Sequence, residues 1–195
     1  MTYSIIGSGN VGTALARQFA RSGISVGVAN SRGRDSITAL AEELGGKVAA
    51  MTLEDALKAD VIILAVPFRA HTAVAGAARD WAGKIIVDAM NTYGVAPEEL
   101  KGQASSDLVA VAFPGAKLVK TLNQLPAKLL AMNPAEGGGR RVMFVSSNDK
   151  AASTLITTLV GDLGFAPIEL GKISEGGALL DRSGPLVLQN LIKLG

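Results

Sequence analysis

Gly7, Gly9 and Gly12 stand at G-x-G-x-x-G spacing, straight after the apolar run Tyr3-Ser4-Ile5-Ile6 and straight before a helical pattern, Thr13 to Ala20. Those residue types at that spacing suit the binding of a pyrophosphate. The first glycine permits a tight strand-to-helix turn. The second leaves room for the anion to approach the backbone, and the third lets the helix pack closely on the sheet. The start of the helix adds unpaired N–H groups and a partial positive charge. Gly7, Ser8, Gly9, Asn10, Val11 and Gly12 are therefore the expected contacts of a dinucleotide.

The choice of dinucleotide rests on the end of the second strand. A carboxylate there binds the ribose 2′-hydroxyl of NAD, whereas guanidinium and hydroxyl groups suit the 2′-phosphate of NADP. The segment Val28-Ala29-Asn30-Ser31-Arg32-Gly33-Arg34 has no carboxylate before Asp35. Asn30, Ser31, Arg32 and Arg34 are the expected contacts at this corner, and NADP(H) is the expected cofactor.

The elements that must position these residues alternate along the chain. Strands are expected at 25–29, 47–50, 61–66 and 84–89, the last two being continuous apolar runs suited to parallel strands covered on both faces. Helices are expected at 35–44, capped by Asp35 or Ser36, from Thr52 as a partial capping box, and from Pro67 through Arg79. In the second half, Ser105-Ser106-Asp107 is expected to cap a helix over 108–113. Strands follow at 117–122 and 141–145, then a helix over 149–163 and a final edge strand at 166–170. Gly137-Gly138-Gly139-Arg140-Arg141 reads as a flexible loop. The tail from Ser174 to Leu194 reads as mostly helical, interrupted at Gly184-Pro185. The fold class is α/β: a Rossmann-like, doubly wound, mostly parallel sheet with a small C-terminal strand and helix elaboration. Residues 1–195 are expected to form one NAD(P)-binding domain, with 1–115 as its dinucleotide-binding part and 116–195 as the elaboration.

Composition narrows the function classes. The chain has 195 residues, 48% of them hydrophobic, so it can bury a full core. A net charge of +2 and 4% aromatic residues suit neither a nucleic-acid field nor a base-stacking platform. The absence of cysteine excludes disulfides and thiol catalysis. With no signal peptide and no membrane span expected, the location is expected to be cytoplasmic.

At the motifs Ile6-Gly7-Ser8-Gly9-Asn10-Val11-Gly12, Ala29-Asn30-Ser31-Arg32 and Leu64-Ala65-Val66-Pro67-Phe68, the chain resembles a known family. It is similar to the NADPH-dependent reductases of the deazaflavin coenzyme F-420, to which the oxidoreductase domain of the STEAP metalloreductases is related. Looser matches are Asp88-Ala89-Met90-Asn91, the run from Lys117 to Asn123, and the tail from Leu179 to Ile192. The resemblance implies a homodimer that binds NADP. The glycine turn and the Ser31-Arg32 pair would hold its phosphates, and Ala65, Val66 and Pro67 would line the nicotinamide side. The segments around Asn91 and Asn123 would border the space for a flavin or coenzyme F-420 as second substrate.

The remaining candidates carry two readings each. Val66 and Pro67 suit an apolar wall behind a nicotinamide, although Pro67 also suits the first turn of a helix. His71, the only histidine, is an acid or a cofactor contact, or else a surface residue without a role; without a second histidine or nearby carboxylates, no metal is expected there. Asn91 donates to a ring substituent or serves a turn. Asn123 faces the pocket or caps the helix after Pro126, the latter being preferred. The 137–141 loop is a surface turn or a phosphate nest.

Hydride transfer between two ring systems needs little acid–base help from the protein. The leading expectation is therefore an NADPH-dependent oxidoreductase with a flavin or deazaflavin acceptor. The alternatives are a reductase of a small carbonyl or imine compound, or a non-catalytic NADPH-sensing module.

Overall fold

The computed structural model describes residues 1–100 and 102–195. Six short strands form its centre: β1 (Tyr3–Ile6), β2 (Val26–Ala29), β3 (Val48–Ala50), β4 (Val61–Leu64), β5 (Ile85–Asp88) and β6 (Lys117–Lys120). They run parallel in the order β3-β2-β1-β4-β5-β6. This is the doubly wound arrangement of a Rossmann fold, whose ligand crevice lies beyond the carboxyl ends of the strands where the winding reverses, here between β1 and β4. Every residue of β2, β4 and β5 is buried, as suits the apolar runs Val61–Leu64 and Ile85–Val87; the exception in type is the charged Asp88 at the end of β5.

Helices cover both faces. The helix α1 (Asn10–Arg21) buries Leu15 and Phe19 against the same core cluster as Ile5, Val28 and Ile63. That cluster also takes in Ile156 and Val160 of the helix α7 (Lys150–Asp162). On the opposite face Ile62, Leu64, Trp81, Ile86 and Phe113 form a second cluster. The short helices between these are α2 (Thr38–Leu44), α3 (Leu53–Ala56), α4 (His71–Ala75), α5 (Ser105–Ala112) and α6 (Ala127–Leu130). Thr52 caps α3 by accepting from the Asp55 N–H, as the capping-box pattern predicts.

Several elements differ from the pattern in the sequence. The helix after Pro67 ends at Ala75 rather than Arg79, because the chain turns to bury Trp81, whose indole N–H donates to the Ala75 carbonyl at 3.2 Å. Asp35 and Ser36 do not cap a helix; both lie in a 3-10 turn, Arg34–Ile37, that precedes α2. Ser105 and Ser106 likewise make no cap on α5. Their hydroxyls donate instead to Asp181 and to Asp88.

The expected flexible loop at 137–141 is a tight hairpin. Strand β7 (Ala135–Glu136) turns through Gly137 and Gly138, both at positive φ, into the long strand β8 (Gly139–Ser147). Strand β8 runs antiparallel to β6 at its end and carries β9 (Ala166–Glu169) in parallel. The tail is not mostly helical. After one short helical segment, Ile173–Leu180, it runs as turns to a last strand, β10 (Ile192–Leu194), antiparallel to β8. The physical cause is the open edge of β8, whose Arg141 and Gly139 pair with Ile192 and Leu194.

Candidate functional site

The glycine turn is shaped by protein contacts at two of its three glycines. Gly7 has φ +112, and a Cβ there would lie 2.3 Å from the Ala65 carbonyl oxygen. A Cβ on Gly12 would lie 1.8 Å from the Gly7 carbonyl oxygen. Any side chain at either position would push the turn off β4 or off its own helix. A Cβ on Gly9 would meet nothing within 4 Å. Its bareness leaves space above the start of α1, where the first helical N–H groups point.

Asn30 joins this turn to the end of β2. Its Nδ2 donates to Ser8 Oγ at 2.6 Å and to Ser36 Oγ at 2.9 Å. Its Oδ1 accepts from the Arg32 backbone N–H at 2.8 Å. The Arg32 guanidinium reaches Ser8 Oγ at 3.2 Å while remaining exposed. A cation and several hydroxyls thus converge where an NAD site would place a carboxylate.

A cavity of about 400 Å³ lies beside this corner. Ser8, Gly9, Asn30, Ser31 and Arg32 form its polar end, and Leu53, Ala65, Val66, Pro67 and Val74 its apolar remainder. A second hollow of about 420 Å³ continues past the glycine turn between α1 and α6, along Asn10, Thr13, Arg17 and Lys128. A wider, shallower depression on the outer face of α7 touches none of these residues.

The other sequence candidates lie elsewhere. Val11 and Gly12 belong to α1 and line neither hollow. Arg34 also lies outside the lining, and its charge helps to hold the Asp55 carboxyl below its ordinary range, behind the larger effects of Lys58 and Thr52. His71 is buried rather than on the surface. Its Nδ1 sits 2.5 Å from the Phe68 carbonyl oxygen and its ring packs on Phe68, with centroids 4.8 Å apart. Asn91 donates to the Asn123 backbone carbonyl at 2.8 Å and accepts from Asn123 Nδ2 at 2.9 Å. Asn123 does not cap α6, because Leu122, at φ +65, turns the chain so that the amide meets Asn91 and the Leu180 carbonyl.

At the ends of β5 and β6 lies an ion pair that the sequence pattern did not single out. Lys120 Nζ is 3.1 Å from Asp88 Oδ2, and both side chains are buried. The available signal is one charged residue of each sign closing two neighbouring apolar strands. No cluster of metal-binding side chains occurs among the described residues. No helix there is long and apolar enough to cross a membrane.

Known proteins share this arrangement. A hypothetical protein from Sinorhizobium meliloti is 42% identical in sequence, with a TM-score of 0.94 over 99% of this chain and 96% of that one. A protein from an Arthrobacter species, provisionally assigned as an F-420-dependent NADP-reductase, is 28% identical, with a TM-score of 0.76 over 92% of this chain and 90% of that one. Imine reductases share the fold at lower identity; one from Aspergillus terreus is 24% identical with a TM-score of 0.65, over 92% of this chain and 58% of that one. The mouse metalloreductase STEAP2 is 27% identical over 90% of this chain, which spans 34% of that protein's length. The family model for NADP oxidoreductases that depend on coenzyme F-420 matches residues 2–92, the stretch that carries the glycine turn, the Asn30–Arg32 corner and the end of β4. Residues 2–92 thus match this family of NADP-dependent oxidoreductases.

Proposed function

We propose that the protein passes hydride between NADP(H) and a flavin or deazaflavin acceptor. The observation that carries this reading is the composition of the cavity. One end presents Arg32 and the Ser8 and Ser31 hydroxyls, the other is apolar, and no carboxylate, histidine, lysine or tyrosine lines it among the described residues.

Those residues fit a dinucleotide with a 2′-phosphate. The open face of Gly9 and the start of α1 would take the pyrophosphate. Arg32 would meet the 2′-phosphate as a fork of N–H donors, and Ser31 would add a hydroxyl. Ala65, Val66 and Pro67, at the end of β4, would set the nicotinamide ring against an apolar wall and keep water from it. When bound, the nicotinamide supplies the hydride. The protein's share is distance, orientation and dryness, which need no proton donor.

Reduction of a small carbonyl or imine compound would need a proton donor near the reacting carbon. The apolar end of the cavity, at Ala65, Val66 and Pro67, offers none, so this reading is the weaker one. Rapid mixing of NADPH-loaded protein with coenzyme F-420, FMN and FAD tests the proposal. Oxidation of NADPH by at least one of them is expected. Tight NADPH binding with no oxidation by any would favour an NADPH-sensing module instead.

A further inference from the structure

Two opposite charges that contact neither hollow lie completely buried at the ends of neighbouring strands. Asp88 closes β5 and Lys120 closes β6, and the two are partners in the parallel register. Asp88 Oδ2 accepts from Lys120 Nζ at 3.1 Å and from Ser106 Oγ at 2.8 Å. The pair also grips one residue from both sides. The Met90 N–H donates to Asp88 Oδ1 at 3.0 Å, and the Met90 carbonyl accepts from Lys120 Nζ at 2.7 Å.

Met90 leads directly to the clasp between Asn91 and Asn123. It also follows Ala89, whose N–H donates to the Leu64 carbonyl at the end of β4. The bend after β5 is thereby seamed to the strand that delivers Val66 and Pro67. On the other side, Asn123 lies just past Leu122, a non-glycine residue held at positive φ. Strain of that kind persists only where the surroundings over-determine the backbone. A buried ion pair is a weak source of net stability, since desolvation offsets most of its attraction. An apolar pair would fill the same space but would leave both polar groups of Met90 unheld.

We propose that Asp88 and Lys120 are positioning residues, which fix the bend at Ala89–Asn91 and, through the Asn91–Asn123 clasp, a platform beyond the carboxyl ends of β5 and β6, on the ligand side of the sheet, against which the hydride acceptor would lie. The role of the platform rests on the hydride-transfer reading above. Neither residue touches a ligand; both act through Met90 and Asn91.

The test is the double variant D88N/K120M, which removes both charges and leaves no unpaired one. Amide hydrogen exchange, NADPH affinity by calorimetry and single-turnover hydride transfer are measured together. Expected are faster exchange at 89–92 and 121–124 with β1 and β4 unchanged, NADPH affinity within about threefold, and hydride transfer slowed roughly 10–100-fold. Unchanged exchange at both bends, or a rate loss matched by an equal loss of NADPH affinity, would overturn the proposal. Should the double variant not fold, Lys120→Arg keeps the charge and is read in the same way: exchange rising at the two bends alone supports the proposal, and a uniform rise overturns it. If the wild-type protein transfers hydride to no acceptor, the functional reading fails, while the exchange measurement still decides whether the pair fixes the bends.

Discussion

Asn30 donates its side-chain amide to Ser8 Oγ across 2.6 Å, tying the end of β2 to the glycine turn. The same side chain accepts the Arg32 N–H. One neutral residue thus sets the spacing between the place for a pyrophosphate and the cation beside it.

Arg32 is exposed, and among the described residues its guanidinium holds only Ser8 Oγ. Arg32→Ala should therefore leave the fold intact. A lost charge-assisted bond of about 1.5–3 kcal/mol implies roughly 10–100-fold weaker NADPH binding. NADH, which lacks the 2′-phosphate, should bind within about threefold of its wild-type affinity. Titration of both nucleotides into the variant reads the difference.

Asn30→Asp keeps the acceptor for the Arg32 N–H and replaces the donor with a carboxylate. The hydroxyls of Ser8 and Ser36 can rotate to donate in its place. The new charge would oppose a 2′-phosphate and suit a ribose 2′-hydroxyl. The NADPH to NADH affinity ratio should fall by about tenfold or more, as measured by competitive titration.

Gly9 and Gly12 separate ligand space from protein space. A methyl group on Gly9 enters open volume, so Gly9→Ala should keep its melting temperature and lose NADPH affinity by about tenfold or more. A methyl group on Gly12 meets the Gly7 carbonyl, so Gly12→Ala should lower Tm by about 5–10 °C. Thermal unfolding with and without NADPH distinguishes the two.

Acid should weaken the fold through its surface carboxylates. The Thr2 N–H holds the Asp60 carboxyl below its ordinary value of 3.8, and the Ala152 N–H, then Lys117, do the same for Asp149. Arg69 brings Glu99 from 4.5 to about 2. Each group binds its proton more weakly folded than unfolded, so its contribution is present above the ordinary carboxylate range and is lost as pH falls through its lowered folded value, about 2 for Glu99. Tm should decline across that window. Asp149→Asn, which keeps the helix cap, should make the decline shallower.

The parts legible in the sequence are those whose signal is local. Val61–Leu64 and Ile85–Val87 are buried and read as continuous apolar runs. The glycine turn was legible because its spacing answers a single mechanical demand. Strand β10 was not, because Ile192–Leu194 becomes a strand only by meeting Arg141 and Gly139 some fifty residues earlier. The Gly137-Gly138 turn depends in the same way on Ala135 finding Arg140 as its partner.

The site was legible where contacts follow from neighbours in sequence, as at Asn30, Ser31 and Arg32. It was hidden where two segments meet in space. Asn123 looked like a helix cap because Pro126 and α6 follow it, yet the strained backbone at Leu122 sends its amide to Asn91. Lys120 read only as part of a strand at 117–122, and its ammonium is buried against Asp88, a partner 32 residues earlier. His71, expected near the ligand crevice, is drawn into the second core cluster's edge by Phe68.

The corner formed by Asn30, Ser31 and Arg32 is proposed to select a 2′-phosphorylated dinucleotide. Calorimetric titration of the wild-type protein with NADPH and with NADH tests it most directly. NADPH should bind at least about tenfold more tightly, a difference of about 1.4 kcal/mol. Equal affinities, or tighter binding of NADH, would contradict it.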